Sequence, residues 1–236
     1  MFTKQYSLLY NTPMKKAMKN SDSYWQHKAR QFSDLYAGQP FTGIPSRIVA
    51  RFLKDRTETL QRLLPKTSIR HVLDVGCGSG VHMKLLAPRV RTVAGIDSSR
   101  QMLIFARRTL TRSAKKNWRL IHADASAIPF PPHTFDCIIA MGLLDYVTSP
   151  LQVLRECRRV MTARGVLVAS MPKKPSIFSL LRSPVGDSIK RGIFHLPPVD
   201  HAVTKKELLL LFQTVGFRVV TLTSVWSAMW MVKARL

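Results

Sequence analysis

The chain of 236 residues is predicted to fold as an α/β domain around a seven-stranded, mostly parallel sheet. Three observations predict this class. From residue 71 onward, short apolar runs alternate with longer helical stretches, as in strands joined by crossover helices. A glycine-rich turn at residues 76 to 80 follows the first of these runs. The chain ends with a helical stretch and two further strand-like runs.

The first five strands and three helices follow from the apolar periodicity. Strands are predicted at residues 71–75, 91–96, 118–121, 135–140 and 165–170, and helices at residues 79–87, 99–111 and 149–162. Pro88 and Pro150 stand where helices should end and begin, because proline breaks a helix interior but suits its first turn.

The C-terminal stretch begins with a helix-capping pattern. In Thr204-Lys205-Lys206-Glu207 the threonine hydroxyl can accept from the backbone at Glu207, whose side chain can reach back to the threonine. An apolar helix to Val215 is then ended by Gly216. Residues 217–222 and 225–233 are predicted to form two strands that pair antiparallel and close one edge of the sheet.

Two segments lie outside this alternation. Residues 1–66 contain scattered aromatic residues among polar ones and are predicted to form an N-terminal helical cap over a core of residues 67–236. Residues 171–203 hold five prolines and two glycines and follow the fifth strand, as expected for a lid insertion.

Composition indicates a globular protein without a membrane-spanning segment, because no apolar run reaches the roughly 20 residues that such a helix needs. Cys77, Cys137 and Cys157 are far apart, which argues against a disulfide framework and a zinc site and favours a reducing compartment. We expect a cytoplasmic protein. An organellar matrix, after removal of a basic presequence, and a peripheral membrane location are the alternatives.

The formal net charge of +24 favours contact with anionic partners. Lys173 and Lys174 follow the fifth strand and should lie at the mouth of a site. A second basic set falls near the amino ends of strands, and predicts a remote face that binds anionic membrane or RNA or is only solvated. Its members are Arg89, Arg91, Arg107, Arg108, Arg112, Lys115, Lys116, Arg158, Arg159 and Arg164.

The stretch VLDVGCGSG, residues 72 to 80, is the strongest indication of a ligand site. Its glycines allow a sharp turn and close approach of another molecule, and the turn opens a helix whose free N–H groups suit a polar ligand. In open α/β sheets, ligands bind at the carboxyl ends of strands. The glycines are Gly76, Gly78 and Gly80, and Val81 stands where the dinucleotide-binding fingerprint needs a small residue, which argues against a nicotinamide cofactor.

Two acids follow later strands at informative positions. Asp97 lies 23 residues after Asp74 and closes the second strand, where a carboxylate can accept from both hydroxyls of a ribose. Asp124 follows the third strand. Either acid could instead serve the structure, Asp97 as a helix cap and Asp124 as a loop anchor. Asp136 begins the fourth strand and is assigned a structural role.

These motifs, in this order, resemble the class I S-adenosylmethionine-dependent methyltransferases, and the quinone-biosynthesis-like group of methyltransferase type 11 in particular. A weaker similarity, in the Pro-Lys segment and the tail, is to porphyrin carboxyl methyltransferases. The resemblance implies a Rossmann-like sheet whose seventh strand runs antiparallel between two others. It also implies a cofactor site formed by Asp74, Gly76, Cys77, Gly78, Gly80, Asp97, Ser98, Met102, Asp124, Ala125 and Met141.

The methyl acceptor is expected to be a small anionic or aromatic molecule. The chain lacks the Asn/Asp-Pro-Pro-aromatic motif of amine methylation after strand four, and has Met-Gly-Leu-Leu-Asp-Tyr at residues 141 to 146. An RNA methyltransferase and a non-catalytic methyltransferase-like binding protein remain alternatives. Candidates for a catalytic base are Tyr146, Asp145, His195 and His201. The acceptor pocket is expected to involve Phe32, Tyr36, Tyr146, Lys173 and Lys174.

Overall fold

The computed structural model describes residues 46–66, 69–113, 115–176 and 202–236. Its strands are β1 (His71–Val75), β2 (Thr92–Asp97), β3 (Trp118–His122), β4 (Phe135–Ala140), β5 (Met161–Pro172), β6 (Arg218–Val225) and β7 (Met229–Arg235). Its helices are α1 (Ser46–Leu63), α2 (Val81–Leu86), α3 (Arg100–Thr111), α4 (Pro150–Val160) and α5 (Lys205–Thr214), and a 3₁₀ turn spans Ala87–Arg89.

The strands form a single sheet in the order β3-β2-β1-β4-β5-β7-β6. Neighbours from β3 to β5 pair in parallel, whereas β7 lies antiparallel between β5 and β6. The predicted seven-stranded, mostly parallel sheet with an antiparallel C-terminal strand is therefore confirmed. Strand order reverses beside β1, because β2 lies on one side of it and β4 on the other. This arrangement opens a crevice at the carboxyl ends of β1 and β4.

The sheet separates two apolar layers, because successive side chains of a strand point to opposite faces. Leu73 of β1 and Ile138 of β4 face the layer that α4 and α5 complete, and Phe212 of α5 is fully buried there. Val72 and Ile139 face the other layer, which includes Leu60 of α1. Helices thus cover both faces, as the crossover pattern predicts.

Several predicted boundaries differ from the structure. The helix predicted at residues 149–162 ends at Val160, and β5 already begins at Met161, whose backbone is extended. At its other end β5 runs to Pro172 and takes two residues that were assigned to the lid. Val225, predicted to begin the last strand, ends β6 instead. The turn that follows places Trp226 and Ser227 at positive φ, without the Gly or Asn that usually signals such a turn.

The capping box of α5 is formed as predicted. Thr204 Oγ1 accepts from the Glu207 backbone N–H at 3.2 Å, and Glu207 Oε2 accepts from the Thr204 N–H at 2.7 Å. Of the predicted cap, α1 lies within the described residues, whereas residues 1–45 lie outside them. Residues 177–201 of the predicted lid also lie outside. No described helix is long and apolar enough to cross a membrane.

Asp136 connects two neighbouring strands. Its Oδ2 accepts from the Arg70 backbone N–H at 2.8 Å and its Oδ1 accepts from the His71 N–H at 3.1 Å, at the point where β1 begins beside β4. These contacts account for an acid at the start of a strand.

We expect Asp136→Ala to lower the free energy of unfolding by about 2–3 kcal/mol, because it removes two hydrogen bonds to a charged acceptor. Urea unfolding measures the change. Asp136→Asn should lose less, since an amide oxygen can still accept one of the two bonds. An alanine variant as stable as the wild type would contradict the structural role of this carboxylate.

Candidate active site

The glycine turn lies over the carboxyl end of β2. The backbone N–H groups of Gly76 and Cys77 both donate to the Ile96 carbonyl at 2.9 Å. Gly76, Gly78 and Gly80 have φ values of 69°, 52° and 76°, a region that favours glycine. The sequence needs glycine at these positions because the chain must reverse between β1 and α2 within a few residues.

The surroundings of the three glycines differ. A Cβ on Gly76 would lie 2.8 Å from Leu143 Cδ1, and one on Gly80 would lie 3.1 Å from Ala106 Cβ. Gly78 has no atom within 4 Å of such a position, so it faces open space. Gly76 and Gly80 thus permit close packing, whereas Gly78 borders room for a ligand.

Asp97 anchors this turn at the end of β2. Its Oδ2 accepts from the Gly78 N–H at 2.8 Å and its Oδ1 accepts from the Ser99 N–H at 2.9 Å. The cap of α3 is Ser99, whose Oγ accepts from the Met102 N–H. Asp97 therefore supports the helix start without being its cap, and its carboxylate lines the cleft.

Asp74 of β1 is buried in the strand that leads into the turn. It is 1% exposed, and neither carboxylate oxygen has a hydrogen-bond partner among the described residues. Burial raises the pKa of the Asp74 carboxyl well above its usual 3.8, and the charge of Asp97 raises it further, while Arg56 lowers it. A buried acid without a protein donor is a reason to look for a cationic ligand group nearby.

Arg56 enters the site from α1 and was missed in the sequence analysis, which treated residues 1–66 only as a cap. It is 6% exposed and lines the cleft, and a Cβ on Gly142 would lie 2.9 Å from its Nη1. One signal existed: Arg56 is spaced three residues after Leu53 and four before Leu60, on the apolar side of the helix.

Helix α1 is fixed to the opposite end of the chain. Trp226 Nε1, in the turn between β6 and β7, donates to Asp55 Oδ2 at 2.8 Å, and its ring meets Phe52 edge to face at 5.7 Å. This bond is also the main reason why the pKa of Asp55 is lowered. These contacts hold the helix that carries Arg56 over the cleft.

His82 and Cys77 are buried groups beside the turn that remain uncharged. Burial and the charge of Arg56 lower the pKa of His82 from 6.5 to about 3. Burial raises the pKa of the Cys77 thiol well above its usual value, and Asp74 and Asp97 add to the effect. Neither group brings a charge into the cleft at neutral pH.

The cleft has a volume of about 840 Å³ and extends from the turn across the carboxyl ends of β2, β3 and β4. Nine of the eleven predicted cofactor residues line it: Gly76, Cys77, Gly78, Asp97, Ser98, Met102, Asp124, Ala125 and Met141. Asp74 and Gly80 lie outside its lining. Asp124 Oδ1 accepts from the Ser126 N–H at 2.7 Å, so the predicted loop anchor is present, and the carboxylate is exposed to the cleft.

His122 is a second lining residue that the sequence analysis missed. It ends β3 opposite Asp97, and its Nε2 lies 2.7 Å from the Ser98 carbonyl oxygen. Its position directly after an apolar strand was a usable signal. Asp97, His122 and Asp124 all line the cleft.

The predicted acceptor residues are only partly brought together. Asp145, which is buried, and Tyr146, which is half-buried, line the cleft. Lys173 lies instead over the Trp230 ring at 4.6 Å, and Lys174 Nζ pairs with Glu207 Oε1 at 3.0 Å; neither lines the cleft. Phe32, Tyr36, His195 and His201 lie outside the described residues. Within the described ranges, no group of three His, Cys, Asp or Glu side chains could hold a metal ion.

Comparison with known proteins agrees with this geometry. Residues 73–169 match the methyltransferase domain family. A malonyl-[acyl-carrier protein] O-methyltransferase of Legionella pneumophila is 31% identical over 68% of this chain and 64% of its own length. A demethylmenaquinone methyltransferase of Listeria monocytogenes is 35% identical over 53% of this chain and 54% of its own length. The chain thus spans less than two thirds of either relative.

A solved structure supports the fold assignment. The magnesium protoporphyrin IX methyltransferase of Synechocystis PCC 6803 superimposes with a TM-score of 0.70 at 15% identity, covering 91% of this chain and 98% of its own. At this identity the likeness shows the fold alone. Together with the matched domain and its relatives, the motifs in the cleft identify the family: the chain belongs to the class I S-adenosylmethionine-dependent methyltransferases.

Proposed function

We propose that this chain transfers a methyl group from S-adenosylmethionine to a small aromatic acceptor. The observation that carries the proposal is the pairing of Asp97 with the glycine turn in one open cleft, since this places a carboxylate and a glycine backbone around the same ligand volume. The remaining residues of the cleft fit the other parts of that cofactor.

The cofactor is an amino acid joined to a nucleoside, and each part has a complementary group. Asp97 can accept from the ribose hydroxyls. Arg56 offers a guanidinium to the methionine carboxylate. Asp74 does not line the cleft, but a methionine ammonium near it would favour its ionised form. Asp124 and Ala125 stand where the family contacts the adenine. The unpartnered carboxyl of Asp74 is explained by such a cation.

Bound S-adenosylmethionine supplies an electrophilic methyl on a good leaving group, so the chain has little chemistry to add beyond alignment. Alignment can contribute up to about 7–11 kcal/mol of barrier reduction in ideal intramolecular cases. A general base contributes about 10²–10⁴-fold and is needed only when the acceptor loses a proton. Tyr146 and Asp145, which line the cleft, are the described candidates for that base.

The charges of the cleft favour an aromatic acceptor over an anionic one. Its described lining holds three carboxyl groups, those of Asp97, Asp124 and Asp145, against the single guanidinium of Arg56. Lys173 and Lys174, which were expected to attract an anion, are engaged by Trp230 and Glu207. An aromatic acceptor would instead use Tyr146 and the apolar side chains of Leu143 and Met229.

The names of the two relatives are compatible with either an anionic or an aromatic acceptor. One is named for malonyl-[acyl-carrier protein] and the other for demethylmenaquinone. The aromatic class of the second agrees better with the balance of charge in this cleft. A non-catalytic binding protein would keep the cofactor residues but show no turnover.

The first test is thermal unfolding with S-adenosylmethionine and S-adenosylhomocysteine. Ligand at about 100 times its dissociation constant stabilises a fold by about 2.7 kcal/mol, which for this size is about 5–10 °C. Asp97→Asn should lose most of the shift because it weakens the contact with the ribose hydroxyls. Asp136→Asn, a matched change in a carboxylate remote from the cleft, should keep it. A folded wild type that shows no shift at millimolar ligand would overturn the proposal.

A pair of ligands tests the role of Arg56. We expect Arg56→Met to weaken S-adenosylhomocysteine binding by about 10–100-fold, the value of one or two hydrogen bonds to a charged group. It should leave the affinity for methylthioadenosine, which lacks the amino acid, within about twofold of the wild type. Calorimetry measures both affinities. Equal losses for the two ligands would mean that Arg56 serves the fold and not the methionine carboxylate.

The pH dependence of stability tests Asp74. Its raised folded-state pKa means that the folded chain binds this proton more tightly than the unfolded chain. Stability is therefore lost as pH rises above the usual pKa of 3.8. Arg56 opposes and Asp97 adds to this effect. In Asp74→Asn the loss should disappear, so that its stability relative to wild type increases from about pH 4.5 to about pH 7.5.

Cofactor affinity should fall in the same variant, because the ammonium loses its negative neighbour. Urea unfolding at the two pH values and calorimetry with S-adenosylhomocysteine measure the two effects. A stability difference that is the same at both pH values would contradict the assignment of a perturbed Asp74.

A further inference from the structure

Seven exposed cations lie together at the end of the molecule opposite the cleft. They come from the turn before β2, the last turns of α3 and the loop before β3, and we call them the basic corner: Arg89, Arg91, Arg107, Arg108, Arg112, Lys115 and Lys116. They belong to elements on the α1-α2-α3 side of the sheet, since Leu110 of α3 and Val93 of β2 are buried in that layer.

Hydrogen bonds from side chains to backbone carbonyls join the two loops of the corner. Lys115 Nζ donates to the Pro88 carbonyl at 2.8 Å, and Asn117 Nδ2 donates to the carbonyls of Ala87 and Val90 at 2.9 Å. Lys116 Nζ donates to the Thr111 carbonyl at the end of α3. The segments that form the corner are therefore held together by hydrogen bonds.

The two lysines have these structural partners, but most of the arginines do not. Among the described residues, the side chains of Arg89, Arg91, Arg107 and Arg112 make no ion pair or hydrogen bond, and Arg108 contacts the Phe105 ring at 5.7 Å. Arg159, which the sequence analysis grouped with them, is different: it pairs with Glu156 at 2.7 Å and donates to the Ile128 and Phe130 carbonyls. It holds a loop and is not part of the corner.

One acid lies near the corner in the fold: Asp136 accepts from the Arg70 N–H, and the Arg70 carbonyl accepts from the Arg91 N–H. Between residues 75 and 123 the only acid is Asp97. Asp97 ends β2 at the cleft, six residues after Arg91, which corresponds to about 20 Å along a strand. That separation exceeds two Debye lengths at physiological salt, which are about 8 Å each. Even with Asp136 nearby, the seven cations of the corner leave a large excess of positive charge for a partner.

One apolar side chain is exposed within this charge. Ile104 is 46% exposed, and it precedes Arg107 by three and Arg108 by four residues, so the three share the outer face of α3. Arg100 lies one turn earlier on the same face and is also exposed. This face therefore offers a lipid interface several guanidinium groups for phosphate and one aliphatic side chain to bury.

We propose that the basic corner and Ile104 form a docking surface for a membrane containing anionic phospholipid. The arginines approach the headgroup phosphates, and Ile104 inserts at the boundary between the headgroups and the acyl chains. A nucleic acid would satisfy the same cations, but it offers no partner to Ile104. Single-strand binding also uses exposed aromatic rings for base stacking, whereas Trp118, the indole nearest in sequence, packs against the core.

Vesicle sedimentation of the full chain tests this surface. The probes are vesicles of phosphatidylcholine alone and of phosphatidylcholine with about 30% phosphatidylglycerol, at low and high salt. We expect binding to the anionic vesicles only, weakened by salt. Each basic residue near such a membrane raises partitioning about fivefold, so Arg107→Gln with Arg112→Gln should lower it about 25-fold. Ile104→Ser should lower it about fivefold, the effect of leaving half of an aliphatic side chain in water.

The matched control is Lys205→Gln with Lys206→Gln, which removes the same charge from exposed positions at the start of α5. It should bind vesicles nearly as the wild type does. All variants should retain the thermal shift with S-adenosylhomocysteine, which shows that they are folded. Equal losses in the control and corner pairs would overturn the proposal, as would equal binding to neutral and anionic vesicles. Wild-type vesicle binding by Ile104→Ser, with RNA binding lost in the corner pair, would overturn it in favour of a nucleic-acid surface.

Discussion

The cleft depends on one carboxylate, that of Asp97, which accepts backbone N–H groups from both sides of the crevice. Gly78 belongs to the turn after β1 and Ser99 to the start of α3, so Asp97 connects two crossovers at the end of β2. Three glycines with positive φ make the turn costly to order, and two hydrogen bonds to a charged acceptor, each worth about 1.5–3 kcal/mol, offset part of that cost. The structural role of Asp97 and its proposed role in ligand binding are therefore compatible. The hydrogen bonds that order the turn also fix the position of the carboxylate that lines the cleft.

The reversal of strand order opens a crevice beside β1. Helix α1 and the turn between β6 and β7 contact each other next to this crevice. Trp226 fixes α1 through Asp55 and Phe52, and α1 then presents Arg56 next to Gly142. Helix α1, which was predicted only to cover the core, thus contributes Arg56 to the site. A cation delivered in this way lowers the pKa of the buried Asp74 carboxyl, against the larger effect of its burial.

Local patterns predicted most of the sheet and the cofactor turn, because strand periodicity, glycine positions and acids after strands are read within a few residues. Such local patterns could not predict contacts between residues that are far apart in the sequence. Asp55 and Trp226 are 171 positions apart. The spacing of Arg56 shows only that it lies on the apolar side of α1, and does not show that it lines a cleft. Lys173 and Lys174 were placed correctly at the end of β5, but their partners, Trp230 and Glu207, come from β7 and α5. The turn at Trp226 and Ser227 lacks the usual glycine signal because the contacts of Trp226 with α1 hold it.

The two ends of the described sheet carry charges of opposite sign. Three carboxyl groups line the cleft at the carboxyl ends of the strands, and seven cations form the corner near the amino ends. A cationic sulfonium cofactor is favoured at the first end and loses that attraction once the methyl group has left, since the product is neutral at sulfur. An anionic surface is favoured at the second end. Because the two ends are about a strand length apart, the residues that would dock to a membrane are separate from those that line the cleft.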